Sequence, residues 1–374
     1  MKKITLYFII LIFAISVCIA EVSATDEFSY DKLESDTLSS LEDIISSDTL
    51  DILAEIGISD FSVEEIYNIS FKNITDFFSV TLKDKLKSSL EDYLEIFAVI
   101  LFSGIISSLL KGYSKDNFID ILIIVTVAVL VVNTINGTIT AVAGTLQASG
   151  KFMLGFIPVY TLLISLAGNT ATALTYNTFA VFFAELISAL FSSGLVDFIG
   201  MFFCLGISFS VNEAINITRF ITAVNKTVNT VLGFSASLFT GFLSLKGVLS
   251  YSVDRVSVRS IRYLISSMIP IVGSSISEAY STLLGSINLI KGSVAIVGIL
   301  VIVIINTPII LENIACCLVL NLLSYLSDGL SLGRVGDVLR VFSAGIRILL
   351  LLCIFETFIL IITIGIVLST KGGG

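Results

Sequence analysis

Two glutamates, Glu185 and Glu356, stand inside apolar runs long enough to cross a membrane. A charged side chain at the bilayer centre costs about 2.5–3.5 kcal/mol on insertion scales, so such a residue faces the helix bundle or a wet cavity. Each glutamate can pair with a cation from another helix or keep its proton, which leaves an ion path and a buried structural pair both open. All three prolines, Pro158, Pro270 and Pro308, also interrupt apolar helices, and each removes a backbone donor and forces a kink or break. Carbonyls freed at membrane depth are tolerated only where they are buried in protein or line a wet cavity. Polar residues follow two of the prolines: Tyr160, Thr161, Ser165, Asn169, Thr170 and Thr172 after Pro158, and Ser274, Ser275, Ser277, Glu278, Tyr280, Ser281 and Thr282 after Pro270. One reading is a pair of discontinuous helices around a polar path, as in transporters with two related halves. The plainer one is kinked packing helices. Phe156-Ile157-Pro158-Val159 and Met268-Ile269-Pro270-Ile271 look alike, but similarity beyond them is thin.

Little else supports chemistry. The chain has no histidine and no tryptophan, which removes His-based metal sites and Ser-His or Cys-His pairs. Cys18 lies in the leading apolar run, and Cys204, Cys316, Cys317 and Cys353 lie in apolar helices, where free cysteine acts as a small hydrophobe. The vicinal Cys316 and Cys317 lack C-x-x-C spacing. There is no phosphate-binding loop, metal-ligand cluster or nucleophile arrangement. We therefore expect a protein that is not an enzyme, takes no cofactor and binds no nucleic acid.

The elements that carry these residues are those of a membrane protein. Of 374 residues 55% are hydrophobic and 14% charged, with a mean hydropathy of +1.02, against about 25% charge in a soluble chain. Lys2 and Lys3 precede the apolar run Ile4 to Ala20 and then small residues, so 1–24 reads as an export signal. The stretch Glu21 to Glu95 holds 19 acidic residues and 5 lysines, and the overall charge of −9 comes from it. Leu38, Leu41, Ile44 and Ile45 recur there at helical spacing, and Ser62 to Glu65 has capping-box form. We read 25–92 as an exported acidic helical segment that leans on the membrane body or on a partner.

Residues 93–370 form the multi-spanning domain, with about seven to ten crossings at roughly 20 apolar residues each. The expected spans are 93–110, 118–135, 152–167, 172–192, 195–211, 231–245, 263–290, 294–311, 314–326 and 348–368. Lys111 and Lys115 follow the first span, as the positive-inside rule requires of a helix leaving an exported segment. The fold class is all-α, a polytopic bundle, because an open sheet cannot satisfy its backbone in lipid. Gly233, Ser237 and Gly241 recur every four residues and bare one helix face for close packing. Arg255, Arg259 and Arg262 gather on one face, which suits a cytoplasmic anchor on anionic lipid or a docking face.

Several stretches resemble a known family: Lys151-Phe152-Met153-Leu154 with Ile157-Pro158 and Ala167-Gly168; Arg259 to Met268 leading to Ile269-Pro270-Ile271-Val272-Gly273; and Ile287-Asn288-Leu289-Ile290-Lys291 with Val297-Gly298-Ile299. They look like stage III sporulation protein AE, over roughly residues 90–370. The usual Pro-containing turn is missing around Ser327-Asp328-Gly329. The resemblance implies a membrane subunit of the channel-like apparatus joining mother cell and forespore, set in the mother-cell membrane around the forespore. Its partners would be the ring-forming, ATPase and small membrane proteins of the same complex, besides the lipid bilayer. It carries over no catalytic residues. An ion-coupled permease acting alone, with Glu185, Glu278 and Glu356 coupling the ion, is the alternative.

Overall fold

The structure, a computed structural model, describes residues 39–59, 65–66, 70–110, 117–192, 194–211, 216–268 and 273–368. Among these the fold is all-α, with no strand. The main helices are α1 (Ser47–Ile56), α2 (Phe71–Asp92), α3 (Leu94–Leu110), α4 (Asn117–Leu166), α5 (Thr170–Ser192), α6 (Gly194–Val211), α7 (Ile217–Met268), α8 (Gly273–Gly329) and α9 (Gly333–Leu368). The leader and Ser62 of the expected cap lie outside the described residues.

The helices are longer than the spans read from hydropathy. The expected spans at 118–135 and 152–167 are the two ends of α4, whose 50 residues rise about 75 Å. Those at 294–311 and 314–326 both lie in the 57-residue α8. Gly137, Gly144 and Gly150 lie between the first pair without breaking the helix, since a mid-helix glycine costs only about 1 kcal/mol. Pro308 likewise leaves α8 unbroken. Three described helices are long and apolar enough to cross a membrane, and α2 with α3, bent by 43° at their junction, can make a fourth as one broken span.

The core is built around α8, in whose most apolar window 89% of residues are buried. Helix α9 folds back on it: Cys317 Sγ donates to the Ser343 carbonyl near the turn, and Gly298 meets Ile364 near the far end. Helix α4 lies antiparallel on the same helix, with Ser149 bonded to Asn306 and Phe156 seated on Gly298. Helix α2 runs parallel to α8, held by Lys85 to Glu312 at 2.7 Å and Ser89 to Cys316 at 3.6 Å. The segment before the first expected span thus packs on the body, and Ile44 seats on Gly155 of α4. Helix α6 covers α9 where Gly206 and Gly345 admit Val341 and Phe203 at distances a Cβ would forbid.

Three described turns close with a left-handed residue, the first after α1 at Gly57, with φ 102° and the Ile58 N–H donating to the Leu53 carbonyl. At the α4–α5 turn Gly168 has φ 81°, and the Asn169 N–H donates to the Ile164 carbonyl. At the α8–α9 turn the same closure, Leu332 N–H to the Ser327 carbonyl, uses Ser331 at φ 64°, which only glycine adopts without strain.

Candidate functional site

The proline-broken polar path is the natural place to look for a site. Pro158 lies within the continuous α4 and is exposed, while rings on either side of it turn inward: Phe156, Tyr160 and Tyr176 stack in sequence, the last pair edge-on at 5.4 Å. Pro270 lies outside the described residues, as do the side chains of Ser274, Ser277 and Glu278; Ser281 is half-buried at the start of α8's apolar stretch.

Of the two described prolines, Pro308 is the one with buried polar side chains directly before it. Just before it Asn306 and Thr307 are buried, and their side chains donate to the Ile302 and Val303 carbonyls at 3.0 and 2.7 Å. The carbonyl that Pro308 leaves without its helical donor is the next one, that of Ile304. Asn306 Nδ2 also donates to Ser149 Oγ of α4 at 2.8 Å, so the polar group beside the proline is tied across the core.

The two intramembrane glutamates part company. Glu185 is exposed on α5. Glu356 is completely buried in α9, and neither carboxyl oxygen has a hydrogen-bond partner. Of the small-residue face, Gly233 and Gly241 have no neighbouring side chain within 4 Å of where a Cβ would stand, and Ser237 is exposed with its hydroxyl on the Gly233 carbonyl. In the basic stretch Arg259 is exposed, and the side chains of Arg255 and Arg262 are not among those described.

Two buried charges were not among the residues singled out from the sequence. Asp254 of α7 is 1% exposed and accepts the Ala171 and Thr172 N–H groups at 2.8 and 2.9 Å, capping α5 from another helix. Lys291 of α8 is 3% exposed and makes no hydrogen bond or ion pair among the described residues. A charge inside the apolar run 287–303 was the available clue. No three His, Cys, Asp or Glu side chains among the described residues gather as metal ligands do.

This arrangement resembles a packed helical body with isolated buried polar groups more than a solvent-lined cleft. Comparison with known proteins decides its kind: the family described as Stage III sporulation protein AE matches residues 57–371. The chain belongs to that family. A Stage III sporulation protein AE of Bacillus subtilis (strain 168) is 20% identical over 290 residues, covering 78% of this chain and 71% of its own. No solved structure matches. Membership in the stage III sporulation protein AE family gives the chain a role in sporulation and agrees with a body of long apolar helices.

Proposed function

We propose that this chain is a non-enzymatic membrane subunit of the channel-like complex joining mother cell and forespore, seated in the mother-cell membrane around the forespore. The family match over 57–371 is the observation that carries the reading. The surface agrees with it: Phe102 and Leu109 of α3 and Val231, Phe234 and Leu238 of α7 are large, apolar and exposed, as contact with lipid or with other membrane subunits requires. The ring-forming and ATPase proteins of the complex would be its partners.

Crosslinking in sporulating cells, followed by purification through a tagged chain, tests this. Recovery of those ring-forming and ATPase proteins supports the reading; a functional chain that recovers none of them overturns it. The ion-coupled permease predicts instead that the purified chain in liposomes accumulates a solute on an imposed proton or sodium gradient. Of its three coupling acids, only Glu356 lies in the core among the described side chains.

A further inference from the structure

Glu356 is 0% exposed, and both its carboxyl oxygens lack a hydrogen-bond partner. Its level in the bundle follows from the α8–α9 hairpin. Gly298 lies opposite Ile364 and Cys317 opposite Ser343, so Glu356 falls opposite the turn of α8 that runs from Ile304 to Pro308. That turn holds Asn306, whose amide nitrogen is bonded to Ser149 of α4 while its Oδ1 has no partner. Pro308 has no N–H, so the Ile304 carbonyl lacks its α-helical donor as well.

One transverse layer of α4, α8 and α9 therefore holds more acceptors than donors: two carboxyl oxygens, an amide oxygen and a main-chain carbonyl. An ionised carboxylate cannot stay unpaired in such a place, because burial without a counter-charge makes the group neutralise instead. No cation among the described side chains pairs with it: Arg347, on the same helix, is nine residues away and exposed. Lys151 of α4 is at this level but exposed, and Lys291 is 15 residues, about 22 Å, along α8 from Asn306. Arg340 of α9 is engaged by Asp328 and Asp337, and the acids nearest in the bundle have other surroundings. Glu312 is bound to Lys85 on the α2 side, Asp254 caps α5, Glu185 and Asp197 are exposed, and Cys353 is the buried neighbour on α9 itself. A proton is the ligand that needs no further donor set, and once bound it turns one surplus acceptor into a donor.

We propose that Glu356 is an exchangeable proton-binding site in the membrane body, occupied at neutral pH. The probe is dicyclohexylcarbodiimide, which is membrane-soluble and reacts with the protonated acid. The acid proton passes to a carbodiimide nitrogen, a carboxyl oxygen bonds the central carbon, and the O-acylisourea rearranges to an N-acylurea with no atom lost. Full-length protein in native membranes at neutral pH is treated and mapped by peptide mass spectrometry. The expected result is an N-acylurea on Glu356, unchanged when sodium chloride replaces choline chloride. No adduct on Glu356 overturns the proposal, and so does protection by sodium, which would make the layer a metal-cation site. Exchange is read separately. Glu356→Gln cannot release a proton and should reach normal membrane levels yet lose sporulation, with Glu356→Asp restoring it; normal sporulation by the Gln variant overturns exchange. Should the Gln variant fail to accumulate, the Asp variant must still take the label and sporulate. The labelling does not depend on the complex proposed above, so the two readings fail independently.

Discussion

Asp254 holds Thr172 by its backbone: one carboxylate oxygen accepts the Thr172 N–H at 2.9 Å and the other the adjacent Ala171 N–H at 2.8 Å, joining α7 to the first turn of α5. The first N–H groups of a helix have no partner within it, and negative charge is favoured there. Asp254→Ala leaves both donors buried without an acceptor and should cost about 1–3 kcal/mol. Asp254→Asn, which keeps one acceptor, should cost less. Thermal unfolding of the purified protein in micelles checks the order; an unchanged Asp254→Ala midpoint would remove the cap from the structure's support.

The α8–α9 turn offers a gain. Ser331 occupies the left-handed region at φ 64°, in the position that glycine fills at Gly168 and Gly57 in the other turns of this kind. Ser331→Gly should relieve that strain and stabilise by about 0.5–1 kcal/mol. A lower unfolding midpoint for this variant would contradict the turn geometry.

Helix α2 can be tested by chemistry. Ser89 Oγ lies 3.6 Å from Cys316 Sγ. With Cys204, Cys317 and Cys353 replaced, Ser89→Cys should form a disulfide with Cys316 under mild oxidation, since a bridge needs Cβ atoms about 3.5–4.5 Å apart. After protease cleavage between the two positions the fragments should migrate together until reduced. Fragments that separate without reductant would place α2 elsewhere.

The glycines divide into two groups with opposite expectations. At Gly206 and Gly345 a Cβ would overlap Val341 and Phe203, so alanine at either position should destabilise by about 1–3 kcal/mol. At Gly233 and Gly241 the space is open, and alanine there should be neutral or slightly stabilising through helix propensity. Gly233→Leu and Gly241→Leu should then leave the protomer folded and impair sporulation if this face meets another subunit. Normal sporulation in both would free the face from that role.

Much of the architecture was legible because it rests on local properties. Apolar runs of spanning length declare membrane helices wherever they occur, and Ala167-Gly168, quoted for the family, marks a turn that requires glycine by conformation and by the nearness of Val258. Helix length was not legible. Pro158 and Pro308 read as interruptions, yet each stands inside a continuous helix. Asp254 was hidden for a different reason. Its partners lie 82 and 83 residues away, and in the sequence it is one acid in a basic stretch. Glu185 and Glu356 looked equivalent by hydropathy, and only the bundle separates an outward face from an inward one.

The grip of α2 on α8 also sets an order of events in synthesis. Lys85 and Ser89 meet partners 227 residues further along the chain. At about 5–20 residues per second, a ribosome takes roughly 10–45 s to make that stretch. Throughout that interval α2 exists without the surface it will cover. Such distant pairings also form late in folding, because the closure entropy of the intervening chain is lost before the contact offsets it. A translocon or chaperone that holds the early segment until α8 emerges would therefore act on the yield of this protein far more than on its final stability.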